Sequence, residues 1–166
     1  MISDSLLRRL PDDAIKDCSI VARLGKTFRT LRRELENGLV SIKDFEVIGL
    51  LIGTNDVSDL VFCRYGMVGY REKLKWCPAP RQEVTWEVVN ENFGRLMGAV
   101  RDLNHTAVLV ISGIIPRPGD WQLSREWCVA LSDWMQQWCC EQQRLGKPVI
   151  FSPTYKFFSE GRHTST

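Results

Sequence analysis

Long apolar runs, an excess of one charge and paired metal-binding residues are all missing from this sequence of 166 residues. No apolar run reaches the roughly 18 residues that a membrane-spanning helix needs, so no membrane span is predicted. The N-terminal stretch MISDSLLRRLPDD lacks the apolar core of a signal peptide, which favours an intracellular protein, cytoplasmic or nuclear. The net charge of +2 is too small to indicate a nucleic-acid partner by itself.

Cysteine and histidine are not spaced as metal ligands. The six cysteines include no C-x-x-C pair, and His105 and His163 are the only two histidines. This pattern argues against a structural zinc site, and we predict neither a metal nor another cofactor. We interpret all six cysteines as reduced thiols, with one of the adjacent pair Cys139 and Cys140 facing the core.

The composition, with 44% hydrophobic and 25% charged residues, is typical of a globular protein, and we expect a single domain over residues 1–166. Four short apolar runs are rich in β-branched residues and nearly continuous, as in parallel strands that are covered on both faces. They span residues 18–22, 45–53, 107–112 and 148–151. Helical stretches separate them, so the sequence predicts an α/β fold with right-handed crossovers and a parallel sheet.

Three helices are predicted from apolar periodicity and from signals at their ends. The first stops at Asn37 and Gly38, the second follows Thr85 as its N-cap, and the third opens at Ser124. Residues 60–82 fit neither a helical nor a strand period. We expect an irregular excursion there, serving either as a lid over a site or as a partner surface.

Polar groups are predicted to meet at the carboxyl edge of the sheet. Asn55 follows the apolar strand in LLIGTNDVSD, where we interpret Gly-Thr-Asn-Asp as a tight turn. Gly25 follows the strand at 18–22 and opens a helix, where a backbone N–H can approach a ligand closely. Ser5 lies where the chain leaves a strand. A hydroxyl nucleophile with two N–H donors is the minimum that acyl transfer requires.

Such a serine needs a base, and the two histidines differ in their predicted place. His105 precedes the strand at 107–112 and therefore belongs to the opposite, amino edge. His163 follows the last strand, on the same edge as Ser5, and Glu160 is close enough in a turn to orient its imidazole. The alternative interpretation of His163 is a polar residue in a C-terminal tail.

In sequence order, these segments resemble the SGNH, or GDSL-type, hydrolases. SDS at 3–5 looks like the Gly-Asp-Ser block, and Gly25 resembles the glycine of the second block. GTND at 53–56 matches the Gly-x-Asn-Asp block, and EGRH at 160–163 resembles the closing Asp-x-x-His block. VISGIIPRPGDW at 110–121 is similar to the SxIxPRP stretch of the SGNH-like domains that retroelements carry.

This resemblance implies a flavodoxin-like three-layer α/β/α fold and a serine esterase or acyl hydrolase that cleaves a small carboxylic or lipid ester without a metal. Ser5 would be the nucleophile, His163 the base and Glu160 the residue that orients it. The oxyanion hole would consist of the N–H groups of Ser5 and Gly25 and the side chain of Asn55. The absence of a G-x-S-x-G elbow agrees with this family.

Several positions depart from the family pattern. Ser3 stands where the family has glycine, and Glu160 where it has aspartate. Only Met1 and Ile2 precede the first block, so we expect the usual first strand to be almost absent, and the usual final helix has no counterpart after His163. Three explanations stay open: a fragment of a longer protein, a gap that another chain fills, or a decayed site.

The alternative function is therefore a catalytically inactive SGNH-like domain that acts as a protein-interaction module. Its partner would add a strand to the sheet or bind the region at 60–82. Nucleic-acid binding is a third class, suggested by the basic stretch at 23–33. A solvated helix face, with Glu34 and Glu36 beside the cations, explains that stretch better.

Overall fold

The structure, a computed structural model, describes residues 2–3, 21–22, 26–65, 83–116 and 122–154. This part of the chain forms five strands and four helices. The strands are β1 (Ile2–Ser3), β2 (Val21–Ala22), β3 (Val47–Leu51), β4 (Val108–Ser112) and β5 (Val149–Ser152). The helices are α1 (Phe28–Glu36), α2 (Thr54–Tyr65), α3 (Trp86–Leu103) and α4 (Gln122–Arg144).

All five strands run parallel, in the order β2-β1-β3-β4-β5. This is the flavodoxin-like order, and it confirms the predicted α/β class and parallel sheet. The first strand is present, although it is reduced to Ile2 and Ser3, which lie between β2 and β3. Of the five residues of β3, only Leu50 and Leu51 pair with it.

The core lies on the face of the sheet that α1, α3 and α4 cover. The crossovers that leave β2, β3 and β4 all move in one direction across the sheet, so right-handedness puts their helices on one face. The ring of Phe93 in α3 contacts Phe28 of α1 and Trp138 of α4, with centroids 5.3 and 5.2 Å apart. Alternate strand residues are buried beneath these helices: Ile48, Leu50, Leu109 and Ile111. The β1-to-β2 crossover moves the opposite way, and it lies outside the described residues, as does the chain beyond Thr154.

Local signals set both ends of α1 and the start of α3, and the sequence predicts two of these three, the end of α1 and the start of α3. The side chain of Thr27 accepts from the N–H of Thr30, and the hydroxyl of Thr30 accepts from the N–H of Thr27, so a reciprocal capping box starts α1. Asn37 is the C-cap of α1 and is followed by Gly38, which has a φ of +70°. Thr85 is the N-cap of α3.

The chain after β3 differs from the sequence prediction. Gly-Thr-Asn-Asp is not a tight turn, because α2 begins directly at Thr54. The irregular excursion predicted for 60–82 is wrong at its start, which is the second half of α2, and the part beyond Tyr65 lies outside the described residues. The helix is stabilised by core burial of side chains at helical spacing. These side chains are Val57, Leu60 and Val61.

Helix α4 begins earlier than predicted, at Gln122 instead of Ser124.

Helix α4 turns its apolar side to the core, as its spacing of apolar residues predicts. Leu131 is fully buried, and Trp127, Trp134 and Trp138 are partly buried against the core. Cys139 is buried and Cys140 exposed, which confirms that one of this pair faces inward. Burial raises the pKa of the Cys139 thiol to about 12, and the neighbouring Cys140 adds to the rise. Within the described part of the chain, no helix is long and apolar enough to cross a membrane.

At the amino edge of the sheet, Asn104 and Arg101 connect neighbouring segments by hydrogen bonds to backbone carbonyls. The Nδ2 of Asn104 lies 2.8–3.1 Å from three backbone carbonyls, and its Oδ1 accepts from the N–H of Ala107 at 3.0 Å. The three carbonyls are those of Ile42, Lys43 and Phe45. Arg101 donates to the carbonyls of Ala107 and Pro148 at 2.7 and 2.8 Å. His105 lies at this edge, as predicted from its place before β4.

Candidate active site

The carboxyl ends of β2, β1 and β3 lie at one level of the sheet. Ser3 of β1 is in register with Ala22 of β2 and with Leu51 of β3. In this strand order, successive connections leave β1 and β3 in opposite directions, and α/β proteins build their sites at such a point. The predicted site residues come shortly after these strand ends. Ser5 follows Ser3 by two positions, Gly25 follows Ala22 by three, and Asn55 follows Leu51 by four.

Gly53 allows β3 to turn at once into α2. Its φ is +129°, a conformation that residues with a side chain rarely adopt. A Cβ atom at this position would lie 2.6 Å from Cδ1 of Ile114 and 3.0 Å from Cζ of Phe28. Glycine is therefore required both by the backbone angle and by the close packing, and the position of the next residues depends on it.

Asn55 lies in the first turn of α2, and its side chain is half-buried. Its Nδ2 donates a hydrogen bond to the backbone carbonyl of Lys26 at 2.9 Å. Lys26 directly follows Gly25, so this bond ties the end of β3 to the loop after β2.

Asp56 holds the start of the neighbouring helix. Its side chain is 4% exposed, and both carboxylate oxygens lie close to the backbone N–H of Phe28, at 3.2 and 3.1 Å. Phe28 is the first residue of α1. A carboxylate at this place stabilises the positive end of the helix dipole and pairs an N–H that has no partner within the helix.

At the carboxyl ends of β4 and β5, hydroxyl groups connect the two strands. The hydroxyls of Ser112 and Thr154 contact each other, and both lie within hydrogen-bond distance of the Gly113 carbonyl, at 3.0 and 3.2 Å. Thr154 follows β5 and leads toward His163 nine residues later. A chain of that length extends up to about 30 Å. Three strand spacings, about 14 Å, separate β5 from β1, so the segment is long enough to bring His163 to Ser5.

Comparison with known proteins identifies the fold. No protein-family profile matches the chain, and no curated protein does. A Streptococcus pneumonia protein provisionally described as a platelet activating factor superposes on 93% of this chain with a TM-score of 0.64 and 17% sequence identity. The chain has the fold of the SGNH hydrolases. It spans 64% of the length of the pneumococcal chain.

Two further solved structures match over most of this chain. The esterase domain of the ORF1 protein from the zebrafish ZfL2-1 retrotransposon matches over 99% of this chain and 82% of its own length, with a TM-score of 0.37 and 21% identity. A lipase candidate from Chitinophaga pinensis matches over 90% of this chain and 65% of its own length, with a TM-score of 0.45 and 13% identity. The pneumococcal match, with its TM-score of 0.64, shows the fold alone, whereas activity depends on the site itself.

Of the five predicted site residues, the described part of this SGNH fold includes Asn55, which it brings against the residue after Gly25. The other four lie outside the described residues, so their roles stay predictions: Ser5, Gly25, Glu160 and His163. Asp56 has no role in the site that the sequence predicts. An acidic residue in the first turn of a helix is the local signal for it, but no local pattern identifies its partner Phe28.

The described residues offer no metal site at this edge. No group of three or more histidine, cysteine, aspartate or glutamate side chains among them is placed to hold an ion. A groove of about 450 Å³ runs between α1 and α3 and is lined partly by Arg32, Glu36, Arg95 and Asp102. It lies near the ends of both helices, toward the amino edge of the SGNH fold and away from Asn55.

Proposed function

We propose that this protein is a serine esterase of the SGNH type that hydrolyses a small carboxylic or lipid ester. Ser5 is the nucleophile, His163 is the general base, and Glu160 orients His163. The oxyanion hole consists of the backbone N–H groups of Ser5 and Gly25 and the side chain of Asn55. The proposed reaction uses no metal and no cofactor.

The reaction has two halves with the same proton carrier. The Ser5 hydroxyl oxygen attacks the ester carbonyl carbon while His163 takes its proton, and the carbonyl electrons move to the oxygen held in the oxyanion hole. The tetrahedral intermediate collapses, and the alcohol leaves with the proton from His163. Water then attacks the acyl-enzyme, gives a proton to His163, and releases the acid as Ser5 recovers that proton.

The position of Asn55 carries this proposal. Its carboxamide is fixed at the carboxyl end of β3 by the 2.9 Å bond to Lys26, next to Gly25 and beside the short strand that leads to Ser5. A donor that is held before the reaction begins stabilises an oxyanion without the cost of reorganisation. The SGNH fold and the order of the four sequence blocks support the same assignment.

Covalent labelling with a fluorophosphonate, mapped by mass spectrometry, tests the proposal. Label is expected on Ser5 of the wild-type protein and is expected to be lost in Ser5→Ala and in His163→Ala. Ser58→Ala is the matched control, because Ser58 lies on α2 and its hydroxyl donates to the carbonyl of Thr54 within the helix. This variant should label like the wild type. Label that persists in Ser5→Ala would contradict the assignment of the nucleophile.

One observation favours a second candidate, the inactive interaction module. The first three residues of β3, at 47–49, have no strand paired on their β1 side among the described residues, and Val47 is 56% exposed. Unpaired backbone beside a strand accepts an added strand. Absence of label on a wild-type protein that unfolds cooperatively would favour this candidate over the esterase.

We also propose an intracellular location and no nucleic-acid partner. Two cations of the basic stretch pair with acids of α1, Lys26 with Glu34 and Arg32 with Glu36. Such pairing is typical of a solvated helix face. The surface at 60–82 stays a proposed lid or partner surface.

A further inference from the structure

Asp56 places a carboxyl group at the start of a helix that already has a cap of its own. The side chain is 4% exposed, and a buried carboxylate is costly unless it is paired or hydrogen-bonded. The start of α1 already has a reciprocal capping box, formed by Thr27 and Thr30. Asp56 comes from another helix, 28 positions along the chain, to bind the Phe28 N–H. Its bond therefore fixes α1 relative to α2 as well as capping α1.

Asn55 and Asp56 together hold the loop before α1 by two hydrogen bonds, and we call this pair of bonds the clamp. Asn55 donates to the carbonyl of Lys26, and Asp56 accepts from the N–H of Phe28. These two peptide groups lie on either side of Thr27, so adjacent residues of α2 hold the loop by one donor and one acceptor. Two bonds of opposite polarity restrict both the position and the rotation of the backbone segment between them.

The core adds a third point to the same loop. The Phe28 side chain is fully buried, and its ring lies against Gly53 and against Phe93. Gly53 in turn precedes the helix that carries Asn55 and Asp56. The loop that ends in Phe28 is thus fixed to β3 and α2 by two hydrogen bonds and one packed ring.

We propose that Asp56 is a positioning residue for the oxyanion hole. Through the clamp it sets the place of the backbone around Gly25, one residue before Lys26, relative to the carboxamide of Asn55. It touches neither the substrate nor the reacting atoms. This inference rests on the proposed esterase function, because it needs an oxyanion that both donors bind. A displacement of about 1 Å at such a donor can lower a rate by about 10²-fold.

Steady-state hydrolysis of p-nitrophenyl acetate by the full chain tests this role, with thermal unfolding measured in parallel. Asp56→Asn keeps the shape and one acceptor but loses the charge, and Asp56→Glu keeps the charge but moves it by one methylene. Both variants are expected to lower kcat by about 10- to 100-fold. KM should change little, because a misplaced oxyanion donor affects the transition state more than the bound substrate. Asp102→Asn, the same change at an exposed position near the end of α3 and away from Asn55, is the control and should keep the wild-type kcat.

A double-mutant cycle separates positioning from simple stabilisation. In the Asn55→Ala background, Asp56→Asn should lower kcat by a much smaller factor than it does in the wild type, because both residues act on the same hole. Equal factors in both backgrounds would overturn the proposal. If Asp56→Asn does not unfold cooperatively, Asp56→Glu decides: a kcat at the wild-type level would mean that charge at the helix end suffices, and the positioning role would be refuted.

Failure of the proposed function has a different signature. A wild-type protein that neither hydrolyses the ester nor takes the fluorophosphonate label would refute the esterase, and the role of Asp56 with it. A wild-type protein that does both, together with an Asp56→Asn variant of unchanged kcat, would refute the positioning role alone.

Discussion

Two asparagines at opposite edges of the sheet differ in what they bind. Asn104, at the amino edge, is 5% exposed, and its carboxamide bonds backbone groups of the chain that enters β3 and of the chain that enters β4. Asn55, at the carboxyl edge, is half-buried and donates to Lys26 in the loop that opens α1. Asn104 therefore connects the segments that lead into two strands, whereas Asn55 lies where two helices begin.

The parallel sheet explains this difference. At its amino edge, the loops that lead into the strands need only to be held together. A carboxamide such as that of Asn104, which hydrogen-bonds backbone groups of several loops, does this. At its carboxyl edge, helices start, and their first N–H groups and positive dipole ends collect there. Anions and developing negative charge are stabilised at such an edge. The same side chain therefore serves stability at one end of the sheet and, by our proposal, chemistry at the other.

Asn55→Ala should give the largest effect on activity. Loss of one oxyanion donor typically lowers kcat by about 10²–10³-fold, equivalent to about 2.7–4 kcal/mol of transition-state stabilisation. The lost bond to Lys26 should cost only about 1 kcal/mol of folding free energy. Hydrolysis of p-nitrophenyl acetate and thermal unfolding measure the two quantities. A variant with wild-type kcat would remove the proposed distinction between the two edges.

Asn104→Ala should show the reverse pattern. Several buried backbone groups lose their partner, and each costs about 1–3 kcal/mol, so we expect a loss of roughly 3 kcal/mol of unfolding free energy. For a chain of this size, that loss lowers Tm by about 6–12 °C. The kcat of the folded fraction should stay unchanged. Asn37→Ala, at the exposed C-cap of α1, is the control and should change Tm much less. A folded Asn104→Ala variant with a strongly reduced kcat would show that the amino edge also serves catalysis.

Gly53→Ala should affect both stability and activity, and by smaller amounts. The left-handed φ and the 2.6 Å approach of Ile114 predict a loss of about 1–3 kcal/mol of unfolding free energy. Activity should also fall, because relief of the clash moves the start of α2. Gly98→Ala is the matched control: a Cβ there meets no atom within 4 Å, and the helix should gain about 0.5–1 kcal/mol. Urea unfolding of both variants measures the difference, and equal midpoints would contradict the packing at Gly53.

Much of the fold follows from local patterns. Apolar runs predict β3, β4 and β5 because a buried parallel strand needs a continuous apolar segment. Capping chemistry predicts the start of α3 at Thr85 and the end of α1 at Asn37 because a cap acts within a few residues. Helix α2 is not predicted by local patterns, because Gly-Thr-Asn-Asp is rich in turn-forming residues and the burial that favours a helix at Thr54 comes from the rest of the core.

For the candidate site, the sequence by itself determined that Asn55 follows a buried strand and that the four blocks occur in the SGNH order. Only the tertiary structure decided the strand order, the pairing of the two-residue β1 with both neighbours, and the partners of Asn55 and Asp56. Those partners lie 29 and 28 positions away. Local patterns act over three or four residues, whereas contacts at such separations depend on how the sheet and helices pack.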